Sequence, residues 1–296
     1  MNVGLSVYDI TGPDLVDLAV AADEAGFDTC WLGEHLLLPV EYESEHPRKG
    51  NEAHEHITGP IISPDTELLD PLVALGAVAA VTTGLRPATG IYILPLRHPL
   101  ATARAAASLH ELSGGRFHLG VGVGWLEEEF ASLGVPFEER RTRFRESIAL
   151  MRTAWVGGPF QFEGEHFRTG TIQVTKRRID VPLILGGNAP VALERAASLG
   201  DGWFSSGTPD FEDAVRLDAA LIDLRSQQGG DPRDFPRWFR VAGGERSRLD
   251  RYRDAGIDNV VVWADQLWPA DGDRDHKREV FFDRVAELGL DGVLGR

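Results

Sequence analysis

Cysteine is almost absent from this 296-residue chain: Cys30 stands alone, inside the apolar run Thr29-Cys30-Trp31-Leu32. No internal disulfide can form, a cysteine-based zinc site would lack its partners, and a buried inert thiol is the expected role. Lysine is nearly as scarce, with Lys49, Lys176 and Lys277 alone. That bias hints at a GC-rich genome and says nothing about mechanism. Basic charge is in deficit altogether, since the formal net charge is -16. So acidic a chain repels phosphate backbones and anionic lipid heads, so neither nucleic acid nor a membrane surface is an expected partner. Long hydrophobic runs are missing too. The longest, Leu72 to Val81, falls well short of the roughly 20 residues a bilayer span needs. No basic segment precedes the strand-like opening Asn2-Val3-Gly4-Leu5-Ser6-Val7, so no signal peptide is read and a cytoplasmic location is expected.

What is present is a core-forming composition, 43% hydrophobic, arranged in an alternation of strand-like and helix-like segments. The strands are read at Val3–Val7, Thr29–Gly33, Thr89–Leu94, Arg116–Gly122, Pro182–Gly187, Gly202–Ser205, Trp238–Val241 and Asn259–Ala264. Helices are read between them, among them Pro13 to Ala25 closed by Gly26, and a helix opened by Asp70-Pro71, with Asp70 as N-cap. Others run from Pro99 to Leu112, Phe137 to Trp155, Pro190 to Leu199, Asp210 to Gln228, Glu245 to Ala255 and onward from about Arg278. Eight strand–helix pairs in one uninterrupted domain, residues 1–296, predict a (β/α)₈ TIM barrel of the α/β class; an open doubly wound sheet is the alternative. Two insertions break the rhythm. Pro159 to Thr175 alternates aromatic and polar residues around Gly164 and reads as a β-hairpin. Val40 to Leu69 is polar and long, and reads as a lid over the C-terminal face of the barrel.

Three places could carry chemistry. Around the fourth strand, Gly120, Gly122 and Gly124 share one parity, so one face is bare. A bare strand face admits either a flat ligand or another backbone, and the pattern alone does not choose. The second strand ends in Gly33-Glu34-His35. A histidine there sits where barrel enzymes keep their chemistry and exchanges protons near neutrality, although a lone histidine is more often structural. Gly186-Gly187-Asn188-Ala189-Pro190 leads from a strand into a helix, whose first N–H groups suit an anion such as phosphate, unless it is an ordinary turn. His46, His54 and His56, with Glu52 and Glu55 nearby, match no strong ligand pattern, so no metal is expected.

Taken together, several segments resemble the luciferase-like monooxygenase superfamily, and most of all its coenzyme F420 (deazaflavin) branch. They are Ala25-Gly26-Phe27-Asp28 leading to Trp31-Leu32-Gly33-Glu34-His35, then Asp70-Pro71-Leu72, Leu94-Pro95-Leu96-Arg97-His98-Pro99 and Leu112-Ser113-Gly114-Gly115-Arg116-Phe117. Leu119-Gly120-Val121-Gly122-Val123-Gly124-Trp125, Gly186-Gly187-Asn188 and Leu199-Gly200-Asp201-Gly202-Trp203 follow in family order. The resemblance implies a flavin-type ring at the C-terminal face, backed by a non-proline cis peptide at Gly90-Ile91 and flanked by Gly122 and Val123. It implies a tail phosphate held at Gly186, Gly187 and Asn188, and His35 as the catalytic histidine. Tyr8 and Trp125 would shape the pocket for a small organic substrate, and a homodimer is expected. Two departures are visible. Trp125 stands where F420-dependent sugar-phosphate dehydrogenases carry a glutamate, which speaks against sugar-phosphate oxidation. Ala101 stands where bacterial luciferases place an arginine for the FMN phosphate, although Arg104 is close. Hydride transfer by F420 is therefore the expected chemistry. An FMN-dependent monooxygenase that inserts one oxygen atom from O₂ is the alternative, and a non-catalytic flavin-binding barrel a further one.

Overall fold

The first strand, β1 (Asn2–Val7), is buried along nearly its whole length, and every main-sheet strand after it pairs in parallel. The computed structural model describes residues 1–44 and 66–294. In chain order they form β1, α1 (Gly12–Ala25), β2 (Thr29–Leu32), α2 (Pro71–Val81), β3 (Arg86–Thr89), β4 (Tyr92–Ile93) and α3 (Pro99–Leu112). Then come β5 (Leu119–Gly122), α4 (Glu127–Ser132), α5 (Arg140–Trp155), the antiparallel hairpin β6 (Phe160–Glu163) and β7 (Arg168–Ile172), β8 (Leu183–Gly186) and α6 (Pro190–Leu199). The chain ends through β9 (Gly202–Phe204), α7 (Phe211–Gln227), β10 (Arg237–Arg240), α8 (Arg246–Asp254), β11 (Asn259–Trp263) and α9 (Arg274–Glu287).

Local chemistry sets these bounds. Asp70 accepts the Leu72 and Val73 N–H groups and starts α2, while Gly26 at φ 91° ends α1 in the left-handed region glycine favours. The sheet runs β3-β2-β1-β11-β10-β9-β8-β5-β4, and a parallel bridge between Ala88 and His118 closes the ring. His118 N–H donates to the Pro87 carbonyl at 3.0 Å and accepts in turn from Thr89 N–H at 3.3 Å. With β3 and β4 as two halves of one barrel strand, this is the expected eight-stranded (β/α)₈ arrangement. Inside the barrel, Trp31, Ala88, Ile184, Phe204, Trp238 and Val261 form a dry plug, with Trp31 and Phe204 rings 4.4 Å apart. The larger core lies between sheet and helices.

Three boundaries differ from the sequence reading. The third strand is not the continuous Thr89–Leu94. It begins at Arg86, breaks at a cis Gly90–Ile91 peptide, resumes for Tyr92–Ile93 and turns into a 3-10 turn at Leu94–Leu96. Pro87 disguised its first half, because proline reads as a strand breaker; here its carbonyl still joins the ladder. The fourth strand is shorter than Arg116–Gly122, since His118 touches β3 only as a bridge. The last helix starts at Arg274 rather than Arg278, because Asp273 caps it by accepting His276 N–H. The greater part of the Val40–Leu69 insertion, including His46, His54 and His56, lies outside the described residues. Among the described residues no helix is long and apolar enough to cross a membrane, and no group of three or more metal-ligating side chains gathers.

Candidate active site

The C-terminal ends of the barrel strands open into a cavity of about 1430 Å³, and all ten candidate residues named from the sequence line it. Tyr8 follows β1, His35 follows β2, Gly90 and Ile91 sit in the break of the third strand, and Gly122, Val123 and Trp125 come from the end of β5. Gly186, Gly187 and Asn188 close β8. The volume exceeds the roughly 300–1,000 Å³ of common small-molecule pockets.

His35 is held from behind. Its Nδ1 lies 3.1 Å from Glu129 Oε2, and Glu129 has no solvent exposure. The other oxygen, Oε1, accepts the Leu36 N–H at 2.6 Å and the Leu37 N–H at 3.4 Å. A carboxylate only accepts, so Nδ1 carries the hydrogen and Nε2 is the nitrogen left for whatever occupies the cavity. The Trp125 ring stands edge-on to His35 at 6.0 Å, and Tyr42 packs edge-on to Trp125 at 6.2 Å. Gly33 lets Tyr8 close in, since a Cβ there would meet the Tyr8 ring at 2.8 Å.

Beside His35, Glu34 ties the barrel strands together. Its carboxyl is fully buried, receives two hydrogen bonds from Arg97 at 2.8 and 2.7 Å, and accepts the Ile93 N–H just past the cis peptide. Burial pushes this carboxyl up to about 7, against the opposing pull of Arg97 and the Ile93 N–H; the charge of Glu129 adds to the rise.

The glycines have a definite occupant. A Cβ on Gly120 would stand 2.0 Å from the Thr89 carbonyl oxygen, and one on Gly124 would strike Ile93 and Phe130 at 2.7 Å. At those two positions the close approach is by protein. Ile91 does the same nearer the cavity: a Cβ on Gly186 would lie 1.8 Å from Ile91 Cδ1, and one on Gly122 would lie 3.6 Å from Ile91 Cγ2. The Ile91 side chain thus lies across the ends of β5 and β8 and forms the cavity floor. Next to it Arg240, buried, stacks between Phe204 and Trp263, with its guanidinium carbon 4.9 and 4.7 Å from the two ring centres.

At the far end, α6 begins without a side-chain cap, because Ala189 occupies the N-cap and Pro190 follows. Uncapped N–H groups and the helix dipole suit an anion. Asn188 spends its side chain on Ser206, donating to its carbonyl and accepting its N–H, both at 2.8 Å. Arg140, Arg141 and Arg195 line this end of the cavity.

Glu34, Glu129, Arg195 and Arg240 were not singled out from sequence. Glu129 hides in the run Glu127-Glu128-Glu129, which reads as the solvated first turn of a helix. Arg240 did leave a signal: a charge in the middle of the otherwise apolar strand Trp238–Val241 has nowhere to go but the barrel interior.

A family model described as luciferase-like monooxygenase matches residues 4–242. An F420-dependent hydroxymycolic acid dehydrogenase of Mycobacterium tuberculosis is 30% identical over 292 residues, covering 97% of this chain and 72% of that protein. Among solved structures, an F420-dependent secondary alcohol dehydrogenase bound to an F420–acetone adduct superposes with a TM-score of 0.72 at 16% identity, over 97% of this chain and 98% of that one. A monooxygenase from Streptomyces bottropensis gives 0.71 at 20% identity, over 99% and 100%. At those identities the two structures speak for the fold.

Proposed function

The chain belongs to the luciferase-like monooxygenase family, and from that premise we propose that it is an F420-dependent oxidoreductase passing hydride between the deazaflavin and a small organic substrate. That it is an oxidoreductase or monooxygenase follows from the family and its F420-dependent and monooxygenase relatives. The same relatives support a flavin or deazaflavin cofactor, and the dehydrogenase match along nearly the whole chain favours F420. The observation that carries the reading is the buried Glu129 behind His35, which aims one imidazole nitrogen at a cavity floored by Ile91.

The residues present fit such a cofactor. Ile91, Gly122 and Val123 offer a flat, small-residue surface for a ring, and the uncapped start of α6 at Gly186, Gly187 and Asn188 would take the tail phosphate. When bound, the deazaflavin supplies or accepts a hydride at its C5. The protein's part is the proton. His35 gives it to, or takes it from, the substrate oxygen through Nε2, and Glu129 keeps the ring in the tautomer and orientation for that exchange. Trp125 and Tyr8 crowd the same space and exclude water. We further propose that the protein acts in the cytoplasm as a homodimer, with the exposed apolar side chains Val73 on α2 and Leu112 on α3 as candidates for the contact between copies.

The family's name keeps a second reading open, an FMN-dependent monooxygenase using O₂. Turnover separates them. The protein is given reduced F420 without oxygen, and reduced FMN in air, against one panel of small alcohols, ketones and aldehydes. Conversion with F420 and none with FMN is expected; oxygenated product with FMN alone would overturn the proposal.

A further inference from the structure

The chain is strongly acidic, yet at the α6 end of the cavity the charge reverses. Arg141 lines the cavity from α5, and Arg145 stands one turn further along the same helix face. Arg195 reaches them from α6. It is 8% exposed, its guanidinium carbon sits 5.1 Å from the Phe144 ring centre, and its buried Nε has no hydrogen-bond partner. Among the described residues no carboxylate pairs with Arg141, Arg145 or Arg195. Burial and the neighbouring Arg145 and Arg141 charges hold Arg195 below its ordinary pKa. A guanidinium keeps its proton in any protein site, so its burial without a counter-charge is costly unless an anion arrives.

The cavity does not stop there. Val191 and Arg195 are shared with a second depression of about 540 Å³, which runs along α6 past Arg145, Ser198 and Gln228. Glu194 is the one acid on its rim. The path therefore leads from the floor at Ile91, past the uncapped start of α6 and Arg141 at the cavity's edge, to a shallow groove lined by Arg145 and Arg195.

We propose that this groove is a subsite for a chain of carboxylates, the oligo-γ-glutamyl tail of an F420-type cofactor, held across Arg195 by Arg141 and Arg145. The proposal rests on the F420 reading above. FMN ends at its phosphate and has nothing to lay in the groove. F420 continues beyond its phosphate through a lactyl link into glutamates, each adding a negative charge. The groove thereby favours one cofactor over the other by a feature remote from the ring.

The test compares long-tailed F420 with its tail-less form, F420-0, by fluorescence titration of the full-length protein. Arg141→Glu and Arg145→Glu, singly and together, reverse exposed charges and leave buried Arg195 in place. Two or three partly exposed arginine–carboxylate contacts should make the wild type bind the long-tailed form about tenfold more tightly at low salt. That preference should shrink with added salt and vanish in the double variant, while F420-0 affinity stays within about twofold of wild type. Equal affinity for the two forms in the wild type, or a preference that survives the double variant, overturns the groove and leaves the F420 reading standing. Binding of FMN with neither F420 form overturns both.

Discussion

The imidazole Nδ1 of His35 lies 3.1 Å from Oε2 of Glu129, a carboxylate with no exposure to solvent, contributed by α4, the helix after β5, whereas His35 follows β2. If Glu129 acts through His35, the two form one unit. His35→Ala should lower kcat by about 100-fold or more, in the range general acid–base groups supply, and leave cofactor affinity nearly intact. Glu129→Gln should lower kcat about tenfold or more with little change in KM. In the His35→Ala background the same change should then cost less than about twofold, since coupled residues are not additive. Losses that multiply would show that Glu129 merely supports the fold.

Gly186 and Ile91 make a steric prediction that can be reversed. Gly186→Ala places a methyl 1.8 Å from Ile91 Cδ1, so the floor must shift, with a loss of about 1–3 kcal/mol and weaker cofactor binding. Ile91→Val deletes that Cδ1 atom, and the next contact, to Cγ1, is 3.3 Å. The double variant should recover most of the stability measured by chemical denaturation. No recovery would mean that the glycine is needed for some other reason.

Arg97 is the partner that makes the burial of Glu34 tolerable. Arg97→Ala should destabilise the protein by about 3–5 kcal/mol, the usual loss when one member of a buried pair is removed. The pH dependence has a definite sign. The Glu34 carboxyl titrates at about 7, above its ordinary 4.5, so its contribution is full below about pH 4.5 and is lost as pH rises through 7. Without Arg97 the value rises further, so the variant's deficit should be larger at pH 8 than at pH 6. Urea titrations at both values check this, and a deficit that shrinks toward alkaline pH would contradict it.

Glu128 titrates in the opposite sense. Burial raises it, but hydrogen bonds from the Ser44 side chain and from the Glu43 and Ser44 N–H groups prevail and bring it to about 2, below its ordinary 4.5. Its hold on residues 43–44 is therefore complete above about pH 4.5 and is lost as pH falls through about 2. Amide exchange at Glu43 and Ser44, referred to the intrinsic rates, should lose protection over that window, and Glu128→Ala should abolish the protection at neutral pH.

The barrel was legible because each of its eight strands is followed by a segment of helical period, and because Asp70-Pro71 and Gly26 mark helix ends by their chemistry. The third strand was misplaced because a proline and a cis peptide interrupt its pattern, and both are read locally as breaks. His35 and the glycines could be picked out since each lies at a strand end. Glu129 could not, because its meaning depends on a partner brought near only when β2 and β5 take their places in one barrel. Arg195 and Arg141 were silent for a related reason: each looks like an ordinary helix-surface arginine until α5 and α6 pack side by side.

The proposed function requires this cavity to hold a deazaflavin. The most direct measurement is a titration of purified, cofactor-free protein with F420 and with FMN, followed by the fluorescence of each. Saturable one-to-one binding of F420, much tighter than that of FMN and weakened by Gly186→Ala, is expected. Tight FMN binding with none of F420 would contradict it.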